Sequence, residues 1–186
     1  MASEIHTIAV IGAGGHGREI TLAALLAGYR TILEDVSESR LERAAAWIAN
    51  GANVGAEARS RFVLASKIEE AVREADLIIE AVAEEMEMKI EMFTIFDKFA
   101  KPDAILASSS PSISIAELAA VTFCPERCIG LRFFSRAAQA SALELVSTLQ
   151  TSGETVAQCR ELGRRMGKDV TVSEGRGARR QDASVT

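Results

Sequence analysis

Hydrophobic and polar positions follow two different periods along this chain. Short apolar runs rich in Ile, Val, Leu and Ala predict buried strands, whereas the stretches between them carry apolar residues at three- and four-residue steps, which is typical of helices. The predicted strands lie at 5–11, 31–33, 61–65, 76–81, 104–107, 128–131, 143–147 and 169–173. Helices are predicted at 19–27, 37–49, 85–99, 114–120 and 154–166, with one more between the strands at 61–65 and 76–81.

This alternation of strands and helices predicts an α/β fold whose largely parallel sheet is doubly wound, with helices on both faces. The chain has 186 residues, enough for one sizeable core, and no linker interrupts the pattern. We therefore expect one domain over residues 1–173. The last stretch, 174–186, has no apolar period and predicts a disordered tail.

The helix predicted at 85–99 carries a stripe of large apolar residues. Met88, Met92, Ile95 and Phe99 recur at steps of three and four residues, which places them on one face of the helix. Such stripes usually pack against the centre of a domain. We therefore expect these side chains to be core residues rather than the walls of a binding site.

A glycine-rich loop follows the first predicted strand directly. Gly12, Gly14 and Gly17 have the spacing Gly-x-Gly-x-x-Gly, with Gly15 and His16 between them, and a helix follows at once. In this context the glycines permit a tight turn, close approach of a diphosphate, and close helix–strand packing, which together indicate dinucleotide binding. The free N–H groups of the helix favour the same diphosphate. His16 is expected to point to solvent or, alternatively, to contact the diphosphate.

The second predicted strand ends in an acidic pair, Glu34 and Asp35. Asp35 lies 18 residues beyond Gly17. An acid at this place accepts hydrogen bonds from the adenosine ribose and repels a 2′-phosphate, so that NAD is favoured over NADP. The alternative is a glycine turn in another kind of α/β protein, followed by an acid with no such role.

Composition and charge exclude several classes of partner. The formal net charge of −5 gives no basic surface for nucleic acid. No apolar stretch approaches the ~20 residues that span a bilayer, so no membrane partner is expected. The three cysteines form no C-x-x-C pair and are expected to be reduced, non-catalytic thiols of a cytoplasmic protein. No metal site is predicted.

Seven separated blocks resemble, in order and spacing, the NAD-binding domain of L-3-hydroxyacyl-CoA dehydrogenases over about residues 5–172. They are IAVIGAGGHGREI, LEDVSESRLERA, ADLIIEAVAEEMEMK, PDAILASSS, PERCIGLRFF, LELVSTLQTSGETV and RRMGKDVTV. The resemblance implies a Rossmann-type sheet with extra C-terminal strands, NAD as cofactor, and hydride transfer between a 3-hydroxyacyl-CoA and NAD. It places Gly12, Gly14 and Gly17 at the diphosphate, Asp35 at the ribose, and Glu84 and Lys89 along the NAD site.

The resemblance also implies a helical domain that dimerises and closes the substrate cleft. The chain ends where that domain should begin, at residue 186. We therefore expect an acyl-CoA-type small molecule as ligand, together with a homodimer or a partner chain that supplies the helical domain.

The catalytic positions depart from the family pattern. Where the family has G-L-H-F-F-N-P, this chain has G-L-R-F-F-S-R, so that Arg132 stands at the catalytic His and Ser135 at the Asn. Glu144, twelve residues beyond Arg132, keeps the place of the Glu that orients the His. This stretch is expected to lie where a strand runs out into a loop. We expect Arg132 and Glu144 to pair within ~4 Å, because an unpaired charge in a partly enclosed pocket is costly.

A second departure concerns the residue that contacts the substrate hydroxyl. The family Ser at this place aligns with Pro111, within the stretch Ser-Ser-Ser-Pro-Ser. A one-residue slip of the alignment would offer Ser110 or Ser112 instead.

These departures leave three hypotheses open. A guanidinium stays protonated up to a pKa above ~12, so Arg132 cannot accept a proton, although it can bind an anion. The chain is then a working dehydrogenase with an altered substrate, in which Arg132 binds an acidic group and His16, a serine or water handles the proton. Alternatively, it is a catalytically inactive NAD-binding protein that acts as a sensor or partner subunit, or a degraded copy that folds and does little.

Overall fold

The described part of the chain forms an eight-stranded sheet with helices on both faces. The computed structural model describes residues 4–51, 54–134 and 142–175. The strands are β1 (Thr7–Ile11), β2 (Arg30–Glu34), β3 (Phe62–Ala65), β4 (Leu77–Glu80), β5 (Ile105–Ser108), β6 (Cys128–Phe134), β7 (Ala142–Ser147) and β8 (Asp169–Glu174). The helices are α1 (Gly15–Leu26), α2 (Glu38–Ala49), α3 (Ala56–Ser60), α4 (Ile68–Glu74), α5 (Met86–Phe99), α6 (Ile115–Ala119) and α7 (Gly153–Arg165).

The strand order confirms the Rossmann-type fold with extra C-terminal strands. The order is β3-β2-β1-β4-β5-β6-β7-β8. The first six of these strands run parallel, β7 is antiparallel to β6, and β8 is parallel to β7. The order reverses between β1 and β4, and doubly wound sheets bind ligands in the crevice at such a switch point.

Two hydrophobic clusters lie on opposite faces of this sheet. The inner strands are buried on both faces, so their sequences are apolar runs rather than alternating patterns. Ile8 and Val10 of β1 pack with α1, α2 and α7 on one face. Ala9 and Ile11 of the same strand pack with α4, α5 and α6 on the other. The helices thus hold the carboxyl ends of β1, β2 and β4 in fixed positions around the crevice.

The structure differs from the sequence-based expectation in three places. Helix α3 occupies a segment for which no element is predicted. Strand β6 continues to Phe134, three residues beyond its predicted end at Leu131, so Arg132 lies within the strand. The reason is pairing: β7 runs back along β6 and extends its ladder of hydrogen bonds. Strand β8 includes Glu174, which the sequence assigns to the tail, and residues 176–186 lie outside the described residues.

Two further expectations concern the state of the cysteines and the presence of membrane-spanning helices. Cys124, Cys128 and Cys159 are free and buried. Burial raises the pKa of the Cys159 thiol to about 12, so this thiol is protonated at neutral pH. Among the helices that the structure describes, none has the length and apolarity to cross a membrane.

Candidate functional site

The glycine-rich loop connects β1 to α1 at the switch point. Gly12 has a φ of +109°, and a Cβ atom there would lie 2.6 Å from the Ala81 carbonyl oxygen. A Cβ on Gly17 would lie 1.8 Å from the Gly12 carbonyl oxygen. Gly14, by contrast, has no protein atom within 4 Å of such a Cβ among the described residues. Gly12 and Gly17 therefore shape the turn, whereas Gly14 leaves space in front of it.

Helix α1 begins in that space. Gly14 is its N-cap and supplies no side chain to the free N–H groups, and Gly15 and His16 of the first turn are exposed. Helix N-terminal N–H groups bind anions, and the diphosphate of a dinucleotide is such an anion. The loop therefore has the geometry that the spacing of its glycines predicts.

A cavity of about 470 Å³ lies between the loop, the end of β2 and α5, and we call it the β2-side cavity. Its walls are formed by Ile11, Gly12, Gly14, Glu34, Asp35, Val36, Arg40, Ile68, Ala81, Val82, Ala83, Met88, Glu91, Met92 and Ile95. Small-molecule sites commonly have this size and combine apolar walls with a few polar groups.

The apolar stripe of α5 corrects one expectation. Met88, Met92 and Ile95 line the β2-side cavity, although Met92 also touches the core. The side chains of α5 that are fully buried are Lys89, Phe93 and Phe96, which lie beside that stripe on the helix. Apolar periodicity shows which residues share a face, but the same pattern serves a core and an apolar cavity wall.

Asp35 stands at the polar end of the β2-side cavity. It is only 6% exposed. Its Oδ2 accepts a hydrogen bond of 2.9 Å from the N–H of Ala13, and its Oδ1 accepts one of 2.8 Å from the N–H of Ser37. Arg40 donates to Oδ1 from 3.0 Å. These donors fix the carboxylate next to the loop, where the sequence places the ribose acid.

Glu34 precedes Asp35 and also lines the cavity. It is 3% exposed, and its Oε1 has no hydrogen-bond partner among the described residues. Burial, with the nearby carboxylates of Asp35 and Glu69, raises the pKa of Glu34 to about 7. A buried carboxyl without a partner is costly to ionise, so this side chain is an exception that calls for a ligand-based explanation.

A second cavity, of about 400 Å³, lies between the loop and the ends of β4, β5 and β6, and we call it the β5-side cavity. Its walls are His16, Ala81, Val82, Glu84, Lys89, Ser109, Ser110, Pro111, Arg132, Phe133 and Phe134. Ala81 and Val82 also line the β2-side cavity. The two cavities thus meet across this short segment, which follows β4.

A buried ion pair supports the segment between the cavities. Lys89 Nζ lies 2.6 Å from Glu80 Oε1, and both side chains are almost fully buried. The same Oε1 accepts a hydrogen bond of 2.7 Å from the N–H of Val82, and Oε2 accepts one of 2.7 Å from Ser108. Lys89 also lies 3.3 Å from Glu84 Oε2. Lys89 therefore lines the predicted NAD site while holding the chain that separates its two halves.

Glu84 is held by two serines on the wall of the β5-side cavity. Ser110 and Ser112 both donate hydrogen bonds to its Oε1, the second over 2.7 Å. Partial burial acts to raise the pKa of Glu84, but these bonds and Lys89 outweigh it and lower the pKa to about 2. Of the positions considered for the substrate-contacting serine, Ser110 and Pro111 line the cavity, whereas Ser112 is exposed and donates to Glu84.

Arg132 and Glu144 pair as the sequence predicts. They face each other directly in the β6–β7 register, and Arg132 Nη1 lies 3.5 Å from Glu144 Oε2. Arg132 also donates from Nε to the Ser110 carbonyl over 3.3 Å, and Ser173 of β8 donates to Glu144 Oε1 over 2.7 Å. The pair is partly buried, with side chains 28% and 24% exposed. A cation therefore occupies the place at which the sequence resemblance puts the catalytic His of the family.

His16 lies at the mouth of the β5-side cavity. Its ring meets Phe133 edge-on, with centroids 6.2 Å apart. Desolvation lowers the pKa of His16, against the opposing effect of Glu19 and Glu80. The imidazole is therefore neutral at pH 7, exposed to solvent, and close to the diphosphate loop. Ser135 lies outside the described residues.

Sequence analysis missed two acidic side chains of this site. Glu80 is the buried partner of Lys89, and Glu34 was noted only as the end of a strand. Both stand at the carboxyl end of an apolar strand, where charged residues of a parallel sheet reach the binding crevice. An acidic residue at the end of an apolar strand is therefore the sequence signal by which both residues could have been identified.

The fold and these two cavities define a dinucleotide-binding Rossmann domain. A family model described as "3-hydroxyacyl-CoA dehydrogenase, NAD binding domain" matches residues 7–175. The chain therefore belongs to the NAD-binding domain family of the 3-hydroxyacyl-CoA dehydrogenases, and the cofactor of this family is NAD.

Individual relatives agree with this assignment. The chain is 37% identical to a 3-hydroxybutyryl-CoA dehydrogenase of Bradyrhizobium diazoefficiens, over 94% of this chain and 63% of that protein. It is 38% identical to a probable 3-hydroxybutyryl-CoA dehydrogenase of Bacillus subtilis, over 89% and 61%. The crystal structure of (S)-3-hydroxybutyryl-CoA dehydrogenase from Ralstonia eutropha superimposes with a TM-score of 0.86 at 28% identity, covering 93% of this chain and 65% of that one. The chain thus spans somewhat less than two thirds of these proteins.

The glycines should separate folding from binding. We expect Gly14→Val to fold normally and to lose NADH binding, because its side chain would occupy the open space in front of α1. Gly17→Ala should instead lower thermal stability, because its Cβ would overlap the Gly12 carbonyl. Thermal unfolding and NADH fluorescence titration of both variants check this. Normal NADH affinity in folded Gly14→Val would contradict the diphosphate position.

Glu34 should make stability depend on pH. Its pKa is raised in the fold, so its contribution is intact below about pH 4.5 and is lost as pH rises through 7. Removing the charge with Glu34→Gln should leave stability unchanged near pH 4 and increase it by roughly 1–3 kcal/mol at pH 8. Urea unfolding at both pH values measures this. Glu70→Gln, an exposed control that pairs with Lys67 at the surface, should show no such dependence.

Proposed function

We propose that this chain binds NAD(H) across its two cavities as a 3-hydroxyacyl-CoA dehydrogenase-type domain, and that hydride transfer between a 3-hydroxyacyl-CoA and the nicotinamide needs a proton acceptor that this chain does not supply by itself. One observation carries the proposal: the β2-side and β5-side cavities meet at Ala81 and Val82, directly beside the glycine loop. A dinucleotide with its diphosphate on α1 would place adenosine beside Asp35 and the nicotinamide beside Ser110 and Arg132. The relatives named for 3-hydroxybutyryl-CoA support the substrate class.

The adenosine end supports NAD over NADP. Asp35 is held as a fixed acceptor by two backbone N–H groups. Its charge would repel a 2′-phosphate, and it would accept hydrogen bonds from the ribose hydroxyls. Arg40 is the nearest cation, and its pairing with Asp35 at 3.0 Å occupies it.

The residues at the proposed nicotinamide end support the proposal that this chain does not itself remove the proton of a 3-hydroxyl group. NAD, when bound, accepts or supplies the hydride. The proton needs a base with a pKa near the working pH, and Arg132 stays protonated. Its guanidinium can orient and polarise an oxygen, and Glu144 and the Ser110 carbonyl hold it in place. Glu84, ionised and held by Ser110 and Ser112, is already hydrogen-bonded.

A second candidate is an active dehydrogenase in which His16 handles the proton. The observation that favours it is the position of a neutral imidazole at the mouth of the same cavity. In that case Arg132 would bind an acidic group of the substrate. Activity measurements separate this candidate from the first.

The partner and the location are proposals of the same kind. An acyl-CoA needs more enclosure than an open cavity at the sheet edge offers, so a second copy or a helical partner chain would complete the cleft. Phe134, 45% exposed beside Arg132, is available to such a partner. We propose a cytoplasmic location, which the three free thiols support.

Cofactor preference is the first measurement. Calorimetry should give NADH a Kd at least roughly tenfold lower than NADPH, because Asp35 would meet a 2′-phosphate. Asp35→Asn should reduce this difference in Kd, because NADH binding becomes weaker and NADPH binding becomes tighter. Arg40→Gln serves as a control that keeps the carboxylate. Equal affinities of the unaltered chain for both cofactors would contradict the placement of Asp35 beside the adenosine ribose.

Activity is the second measurement. With acetoacetyl-CoA and NADH, the unaltered chain should show no turnover above background, since loss of a general base typically costs ~10²–10⁴ in rate. Arg132→His should recover little alone and more together with Pro111→Ser. His16→Gln is the matched control. Turnover of the unaltered chain at ordinary enzyme rates that His16→Gln abolishes would establish the second candidate instead.

A further inference from the structure

Glu34 is a buried carboxyl that neither the fold nor the proposed hydride transfer uses. It lines the β2-side cavity, is 3% exposed, and has an unpartnered Oε1 among the described residues. Buried polar groups without a hydrogen-bond partner are rare. A hydrogen bond formed with such a group in a site of low dielectric is stronger than one formed in water.

The residues that line the cavity indicate which part of a dinucleotide would meet Glu34. The proposed binding puts the diphosphate at Gly12 and Gly14 and the ribose at Asp35, which all line this cavity. The same cavity has apolar walls, among them Ile68 of α4 and Met92 of α5. We expect the aromatic base to pack in this apolar slot. Glu34, the last residue of β2, lines the same cavity.

The chemistry of the slot then selects a base. An ionised carboxylate accepts hydrogen bonds and donates none. Adenine presents an exocyclic amine, N6–H₂, as a donor, whereas a 6-oxopurine presents an acceptor at the same place. We propose that Glu34 accepts a hydrogen bond from the exocyclic amine of adenine and thereby makes this chain selective for the base of its cofactor.

Neighbouring acids are less suited to this role. Asp35 already accepts from Ala13, Ser37 and Arg40. Glu91 lines the same cavity but is exposed, so water competes for its hydrogen bonds. Glu34 combines burial, a carboxyl oxygen without a hydrogen-bond partner among the described residues, and a place on the wall of the apolar slot. The inference rests on the proposed binding of NAD(H) and adds the recognition of its base.

The test compares NADH with reduced nicotinamide hypoxanthine dinucleotide, in which an oxygen replaces the amine. At pH 8, calorimetric titration of the full chain should give a Kd for NADH roughly tenfold lower than for the hypoxanthine analogue. Glu34→Gln should bring the two Kd values within about twofold, because an amide can accept from the amine or donate to the oxygen. Glu70→Gln, an exposed carboxylate outside the cavity, should keep the tenfold preference.

Three outcomes would overturn the inference, and each is distinct. Equal Kd values in the unaltered chain would show that the base edge is not recognised. A preference that persists in Glu34→Gln and disappears in Glu91→Gln would assign recognition to Glu91. Absence of NADH binding would instead reject the proposed function, and the base recognition with it. Circular dichroism of each variant confirms that it is folded.

Discussion

The buried pair between Lys89 and Glu80 is the constraint on which both cavities depend. Removing one partner of such a pair typically costs 3–5 kcal/mol, because the other charge stays buried alone. The pair also connects two elements. Glu80 ends β4 and accepts a hydrogen bond from the N–H of Val82, while Lys89 lies on α5. The segment from Ala81 to Val82 therefore has one position. The floor of the dinucleotide crevice, shared by the two cavities, is therefore set by an ion pair whose two side chains are almost fully buried.

The two ends of the site use charge in opposite ways. At the adenosine end, Asp35 is held by backbone donors and by Arg40, so its negative charge is fixed before any ligand arrives. At the nicotinamide end, Arg132 is neutralised by Glu144, which leaves hydrogen-bond donors but no base. Cofactor recognition is therefore preorganised, whereas proton transfer has no group of suitable pKa at the expected position. This asymmetry is the physical basis of the proposed division between binding and turnover.

Sequence reasoning recovered what depends on local pattern. The glycine spacing, the strands and the position of Asp35 follow from short stretches, and the resemblance supplied the partnership of Arg132 and Glu144. The prediction that Met88 and Ile95 are core residues was wrong, because periodicity cannot tell a core from an apolar cavity. The unpartnered oxygen of Glu34 depends on what surrounds it in three dimensions, which no spacing encodes. The extension of β6 through Phe134 required knowing that β7 pairs back along it.

Strand register gives the position of Arg132 a further property. Arg132 faces Glu144 in the β6–β7 register, and Ser173 of β8, whose register partner is Val146, reaches Glu144 through its hydroxyl group. The identity of the side chain at that position is therefore independent of the fold that presents it. An imidazole could replace the guanidinium there while the neighbouring carboxylate stays in place to receive it. A change of side chain at this position therefore alters the chemistry of the site without altering the strand ladder that presents it.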